Sequence, residues 1–248
     1  MAPMTPIHLH IADKSYPASG ANLAHQAIAN LNLHLQSGEF VCLVGPSGCG
    51  KTTLLNILAG LDPDYQGSIQ TGPAARAPKI GYVFQNPRLL PWRTVQENLE
   101  LAQHTPDLHV IDTLLAAMQL TAFRHSYPER LSLGMSRRVA IIRAFAATPD
   151  LLLMDEPFVS LDAPTARQVR ELLLSLWQQR PHTVLFVTHD LREAIALADR
   201  LVFTSSAPMQ IVSEIPVTLP RNQRHLDEKI ETFRQHLLTQ HAGIKNLL

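Results

Sequence analysis

The sequence predicts an α/β protein: a mainly parallel sheet covered by helices, a small antiparallel sheet ahead of it, and a helical insertion within it. Three observations predict this. Short apolar runs with little alternation recur from Glu39 onward, as in strands covered on both faces. Several stretches between those runs carry apolar stripes at helical spacing. Residues 7–35 instead contain alternating runs, the mark of a sheet with one solvated face. The chain has 248 residues, 46% hydrophobic and 17% charged. That length suits one large domain or two small ones and can bury roughly three-quarters of the unfolded surface. The composition excludes collagenous, low-complexity and charge-dominated disordered classes.

The elements follow in order. His8 to Ile11 and Leu31 to Leu35 read as antiparallel strands. Glu39 to Val44 reads as a buried strand running into the Gly-rich stretch Gly45–Gly50. Thr52 to Ala59 then reads as a helix, with Gly60 placed to end it. Ile80–Phe84, Leu151–Met154, Thr183–Val187 and Leu201–Thr204 are further strands. From about Asn86 to Ala146 the pattern is mainly helical, and Leu108, Ile111, Leu114, Leu115 and Met118 form one stripe. Val169, Leu172, Leu173, Leu176 and Trp177 form another. The tail after Pro220 is polar and reads as a helix with Leu226, Ile230, Phe233 and Leu237 on one face. No internal repeat is present.

Lys and Arg number 21 and Asp and Glu 21, so no global charge points to nucleic acid or an anionic membrane. The two cysteines, Cys42 and Cys49, make no disulfide framework, which fits a reducing compartment. The best apolar run, Val139–Ala147, is broken by Arg143 and falls short of the roughly 18 residues that span a bilayer. Met1–Pro6 lacks a cationic region followed by an apolar core, so no signal peptide is expected and the default is a soluble cytoplasmic protein. The 12 histidines are scattered without zinc-like spacing, and no structural metal is expected.

Gly45-Pro46-Ser47-Gly48-Cys49-Gly50-Lys51-Thr52 fits G-x-x-x-x-G-K-[ST]. Glycines let the backbone wrap phosphate oxygens, and the following helix end aims N–H groups and about half a positive charge at the same point. Lys51 reaches the β- and γ-phosphates in such a loop, and the Thr52 hydroxyl binds Mg²⁺. The motif follows a strand and opens a helix, which is its confirming context. Cys49 puts a thiol into the loop, so nucleotide binding is expected to respond to thiol reagents.

Asp155 and Glu156 end the apolar run that begins at Leu151. A carboxylate there costs several kcal/mol to bury without a compensating cation. Ligands of open α/β sheets collect at the carboxyl ends of strands. Asp155 thus reads as support for Mg²⁺, and Glu156 as the group that orients or deprotonates an attacking water. The bland reading of Glu156 is an acid that closes the strand against solvent.

With these residues in place, the chain resembles the ATP-binding subunit of an ABC transporter over nearly its whole length. Phe84-Gln85-Asn86-Pro87 resembles the Q-loop, Leu131-Ser132-Leu133-Gly134-Met135 the signature, Ser160-Leu161-Asp162 the D-loop and Val187-Thr188-His189-Asp190 the switch-histidine segment. The resemblance implies a P-loop NTPase core (1–86 and 147–219) with an N-terminal antiparallel β-subdomain, an α-helical subdomain (87–146) and a helical tail (220–248). It implies ATP bound by Gly45 to Thr53, with Thr53 closing the set, and Tyr16 stacked on adenine. Gln85 then touches Mg²⁺ or the water, His189 senses the γ-phosphate, Asp162 serves the D-loop, and Ser132 and Gly134 contact ATP on an opposing copy. Mg²⁺ is held by Thr52, Gln85 and Asp155. The signature departs from the usual Leu-Ser-Gly-Gly-Gln at Leu133 and Met135.

The implied assembly is a homodimer on membrane permease subunits at the cytoplasmic face of the inner membrane. A substrate-binding protein acts through the permease, and no nucleic acid is involved. Leu89-Leu90-Pro91-Trp92 resembles the stretch found in nitrate, sulfonate and taurine importers, implying a small anionic cargo. Several residues carry two readings. Tyr16 and Trp92 are also possible packing residues, His189 an ordinary surface histidine, and Arg137 and Arg138 a solvated face, structural pairs or a permease contact. The rival functions are a non-transport ABC ATPase and a nucleotide-gated module with weak turnover. A P-loop small-molecule kinase fits poorly, leaving Ser132, Gly134 and His189 without a task.

Overall fold

A computed structural model describes residues 6–18, 23–72 and 78–247. Residues 1–5, which with Pro6 carry the expectation that no signal peptide is present, lie outside them. In chain order the elements are β1 (Ile7–Tyr16), β2 (His25–Leu35), β3 (Phe40–Val44), α1 (Lys51–Leu58), β4 (Gln66–Thr71), β5 (Ile80–Val83), α2 (Val95–Glu100) and α3 (Leu108–Ala117). There follow α4 (Leu133–Ala146), β6 (Leu151–Asp155), α5 (Ala163–Gln179), β7 (Thr183–Thr188), α6 (Leu191–Leu197), β8 (Arg200–Thr204), β9 (Ile211–Pro216) and α7 (Asp227–Gln240). The chain divides into two compact units, Met1–Ala77 with Thr183–Leu248, and Pro78–His182.

In the first unit, β1 is the centre of an antiparallel sheet ordered β2-β1-β4. Its alternation buries Ile7, Leu9 and Ile11 and exposes His8 and His10, as period-two side chains require. A register shift against β4 between Ile11 and Asp13 then turns Lys14 inward, because one extra residue flips the faces of a strand. The other sheet of this unit runs β7-β3-β8-β9, with β3 parallel to β7 and β8, and β9 antiparallel to β8. Every residue of β3 and β7 is buried, which explains why neither alternates. Helix α1 ends at its cap Ala59, and Gly60 follows with φ +70°, its N–H donating to the Ile57 carbonyl at 3.0 Å.

In the second unit, β5 and β6 pair in parallel, Ile80 opposite Leu151 and Val83 opposite Met154. Helix α2 opens on a capping box: the Thr94 hydroxyl accepts from Glu97 N and the Glu97 carboxylate accepts from Thr94 N. Helix α3 buries Ile111, Leu114 and Leu115, with Met118 buried at its cap, but Leu108 at its first position is exposed. Helix α5 buries Val169, Leu173, Leu176 and Trp177, and the Trp177 indole donates to the His182 carbonyl at 2.8 Å. Among the described residues no helix is long and apolar enough to cross a membrane.

Arg200 opens β8 and ties together segments distant in sequence. Its guanidinium donates to Glu39 at 2.7 Å, to Glu214, and to the His34 carbonyl at 2.6 Å. Burial works to raise the Glu39 carboxyl, but the bonds from Arg200 and Gln36 N hold it below its ordinary value. A depressed carboxylate adds stability above its unfolded value, lost as the pH falls through the folded one. Arg200→Met is expected to lower stability at neutral pH by about 2 kcal/mol, since it strands a half-buried carboxylate. Calorimetric melting curves taken at neutral pH and progressively below pH 4.5 should show the gap between variant and parent closing.

Candidate functional site

The chain leaves β3 at Val44, turns through Gly45–Gly50 and enters α1 at Lys51. Gly50 has φ +116°, and a Cβ there would lie 2.9 Å from the Ala27 carbonyl oxygen, so both conformation and space demand glycine. The Lys51 side chain is 5% exposed, and its ammonium donates to the carbonyls of Gly45 at 2.8 Å and Pro46 at 2.7 Å. No acid occupies the first turn of α1, so no carboxylate of that turn offsets its positive end. Pro46, Ser47 and Gly48 form the turn, where Cys49 N donates to the Pro46 carbonyl. The Cys49 thiol is buried, 3.5 Å from the Thr204 hydroxyl.

Tyr16, at the end of β1, is half-buried beside α1. Its hydroxyl donates to Asp62 at 3.1 Å and lies 3.3 Å from the Thr53 hydroxyl. The Lys14 ammonium sits 4.5 Å from the ring centroid and donates to Asp62 at 2.8 Å and the Asp64 carbonyl at 2.6 Å. The His25 ring is stacked 5.2 Å away. Burial opposes charge on both Lys14 and Asp62, but their mutual bond prevails, raising the lysine and lowering the carboxyl. Tyr16 is thus fixed in place, and sequence reasoning missed the two residues that fix it. The one available signal was a lysine near the end of an alternating strand.

His189 follows β7 and is exposed. It is held between two anchored neighbours. Asp190 N donates to the Thr188 hydroxyl at 3.0 Å, and the Asp190 carboxylate caps α6 by accepting from Arg192 N at 2.8 Å. These residues, with Tyr16 and Gly45–Thr53, belong to the first unit.

The second unit carries the rest. Asp155 is the last residue of β6 and 5% exposed. Glu156 follows in the left-handed region (φ +43°), as does Ser160 (φ +65°). Both are unusual for non-glycine residues and mark a turn held by its surroundings. Within it Val159 N donates to the Glu156 carbonyl at 3.2 Å. Asp162 caps α5; the bond from Thr165 N, 3.0 Å long, is the main cause of its lowered carboxyl value. Ser132 caps α4, its hydroxyl accepting from Met135 N at 3.2 Å. Gly134 is buried, and a Cβ there would lie 2.9 Å from Thr165 Cγ2, so the signature helix meets the start of α5 closely.

Three arginines of α4 serve the loops of this unit. Arg137 is 3% exposed and donates to the carbonyls of Gln85 and Val159. Arg138 donates to the Met118 carbonyl at 3.0 Å. Arg143, the charge that interrupts the apolar run, donates to the carbonyls of Arg88 at 2.8 Å and Pro87 at 2.9 Å. All three are structural donors to main-chain carbonyls. Beyond Gln85, the buried Asn98 amide organises the loop: it accepts from Leu90 N and donates to the carbonyls of Leu90, Arg93 and Thr94. Trp92 in that loop is 69% exposed, which rules out its reading as a packing anchor.

The ABC transporter family profile matches residues 28–159. The chain is 43% identical over 221 residues to the aliphatic sulfonates import ATP-binding protein SsuB of Bacillus cereus, covering 87% of this chain and 88% of that one. It is 37% identical to SsuB of Bacillus subtilis, covering 97% and 96%, and 41% identical to the nitrate import ATP-binding protein NrtD of Synechocystis, covering 88% and 85%. The dimeric bacterial ABC transporter cassette MJ0796 superposes with a TM-score of 0.73 at 30% identity, over 85% of this chain and 98% of that one. Phosphate loop, strand-end carboxylates and capped signature helix thus occur in a chain that belongs to the ABC transporter family, as an ATP-hydrolysing subunit of the import type.

Proposed function

We propose that this subunit, as a homodimer on the cytoplasmic face of the inner membrane, drives import of an aliphatic sulfonate through separate permease subunits. A substrate-binding protein delivers the cargo to that permease. The sulfonate assignment rests on the 43% identity to a relative named for sulfonate import. The 41% identity to a nitrate-import protein makes nitrate the second reading.

The phosphate loop carries the catalytic part of the proposal. Gly45, Pro46, Ser47, Gly48, Cys49 and Gly50 wrap the phosphates with main-chain N–H groups, Lys51 neutralises the β- and γ-phosphates, and Thr52 and Thr53 close the helix end. Tyr16 stacks on the base. Thr52, Gln85 and Asp155 offer a hydroxyl, an amide oxygen and a carboxylate, an all-oxygen set suited to Mg²⁺. The ion neutralises phosphate charge when bound. Glu156 orients and deprotonates the attacking water, and His189 contacts the γ-phosphate. Ser132 and Gly134 of the second copy cover the same γ-phosphate, and Asp162 helps join the copies. Cleavage removes the bridging phosphate and releases them.

Residues 1–86 and 147–219 are assigned to the ATP-binding core with its β-subdomain, 87–146 to the helical subdomain and 220–248 to the tail. The permease contact is assigned to the surface groove of about 360 Å³ lined by Tyr82, Phe84, Leu90, Leu101 and Arg143. The exposed side chain of Leu101 offers apolar area there that a membrane subunit would cover.

Three measurements test the proposal. Lys51→Ala removes the charge-assisted phosphate contact and is expected to weaken ATP binding about 100-fold by calorimetry. Unchanged affinity would overturn the site. Glu156→Gln is expected to keep ATP bound, abolish turnover and trap the dimer in light scattering; parental hydrolysis would remove Glu156 from its role. In vesicles holding the whole complex, labelled alkanesulfonate should enter with ATP. Entry of nitrate in its place would select the second reading.

A further inference from the structure

Arg137 lies on α4 one turn beyond the signature residues and is nearly fully buried. Its two terminal nitrogens reach different loops: one donates to the carbonyl of Gln85, the other to the carbonyl of Val159 at 3.1 Å. Its Nε has no hydrogen-bond partner, so the guanidinium is buried for the sake of those two carbonyls. Val159 in turn donates its N–H to the Glu156 carbonyl at 3.2 Å, closing the turn in which Glu156 takes a left-handed conformation. Such a conformation in a non-glycine residue persists only where neighbours over-determine it. One planar cation therefore spans the segment carrying Gln85 and the turn carrying Glu156, with the fixed fork geometry that a lysine lacks.

We propose that Arg137 is a positioning residue for ATP hydrolysis: it sets the main-chain spacing between Gln85 and the Glu156 turn. It acts through the two main-chain carbonyls it holds. This rests on the roles proposed above for Gln85 in Mg²⁺ binding and Glu156 as base. Because Arg137 belongs to the signature helix, any movement of that helix is passed directly to both carbonyls. A guanidinium has five N–H donors and no acceptor, so at this place it can hold acceptors such as the two carbonyls and no N–H group.

The test uses the full chain with Arg137→Met, which keeps bulk and removes the donors, and Arg137→Lys, which retains a charge able to serve one carbonyl. Rates are measured against ATP and against Mg²⁺, and ATP affinity by calorimetry. Arg137→Met is expected to lower kcat about tenfold or more while ATP affinity stays within about twofold. The Mg²⁺ concentration for half-maximal rate should rise several-fold, and Arg137→Lys should fall between variant and parent. If Arg137→Met fails to fold, Arg137→Gln supplies the same readouts. A kcat within about twofold of the parent overturns the proposal. So does a loss of kcat with an unshifted Mg²⁺ requirement and no recovery in Arg137→Lys, which marks a merely structural residue. Gln85→Ala, run alongside, separates the two levels: if it too leaves the Mg²⁺ requirement unchanged, the role of Gln85 fails and the positioning role falls with it.

Discussion

A loop leaving a parallel strand carries carbonyl groups that no ladder pairs, and each costs about 1–3 kcal/mol if buried unsatisfied. In this protein, basic side chains repeatedly supply the missing donors. Lys51 holds Gly45 and Pro46; Arg137 holds Gln85 and Val159; Arg143 holds Pro87 and Arg88. Arg224 holds Leu219, Ala198 and Val217. Burial, and next the charge of Arg221, lowers the Arg224 guanidinium to about 10, which still leaves it charged at neutral pH. These groups donate and cannot accept, so each loop is fixed with one sign of charge. The zero net charge of the chain conceals this local arrangement.

The same bookkeeping explains how Lys51 can meet a phosphate without releasing its loop. An ammonium has three N–H donors. Two are used on the Gly45 and Pro46 carbonyls, and the remaining neighbour is the Cys49 sulfur at 3.8 Å. Sulfur is a weak acceptor, so exchanging that contact for a phosphate oxygen sacrifices little and gains a charge-assisted bond. The residue at position 49 is consequently a spacer with a soft contact, in keeping with its burial against Thr204.

What the sequence disclosed depended on whether the signal was periodic or three-dimensional. The uninterrupted apolar runs of β3, β6 and β7 announce strands covered on both faces, and the stripe of α5 announces its buried side. Strands β4 and β9 gave no such signal, because their residues are mostly exposed or half-buried and neither carries a continuous apolar run. Helix α6 is only seven residues long, and its announcement is the cap at Asp190. The stripe of α3 was right except at Leu108, which sits in the exposed first turn. Motif spacing disclosed the phosphate loop because that chemistry is local in sequence. The partners of Tyr16 and Gln85 come from 46 and 52 residues away. No window of sequence shows that Arg137 faces carbonyls instead of water.

The unusual signature can be weighed on the same physical terms. Leu133 replaces a residue type chosen for freedom, yet it stands at the first position of α4, where its side chain is 46% exposed and displaces nothing. Ser132 keeps the extended conformation of a helix cap (φ −66°, ψ 163°), and its oxygen accepts from Met135 N. That bond uses the main chain of residue 135, so exchanging glutamine for methionine leaves it intact. A hydroxyl that accepts one bond still has its proton to donate, and the Ser132 proton is therefore available to a phosphate oxygen. Gly134 remains constrained by the approach of Thr165. The departures thus alter side chains at the rim of the motif, while the groups assigned to meet the phosphate are set by backbone geometry that neither substitution disturbs.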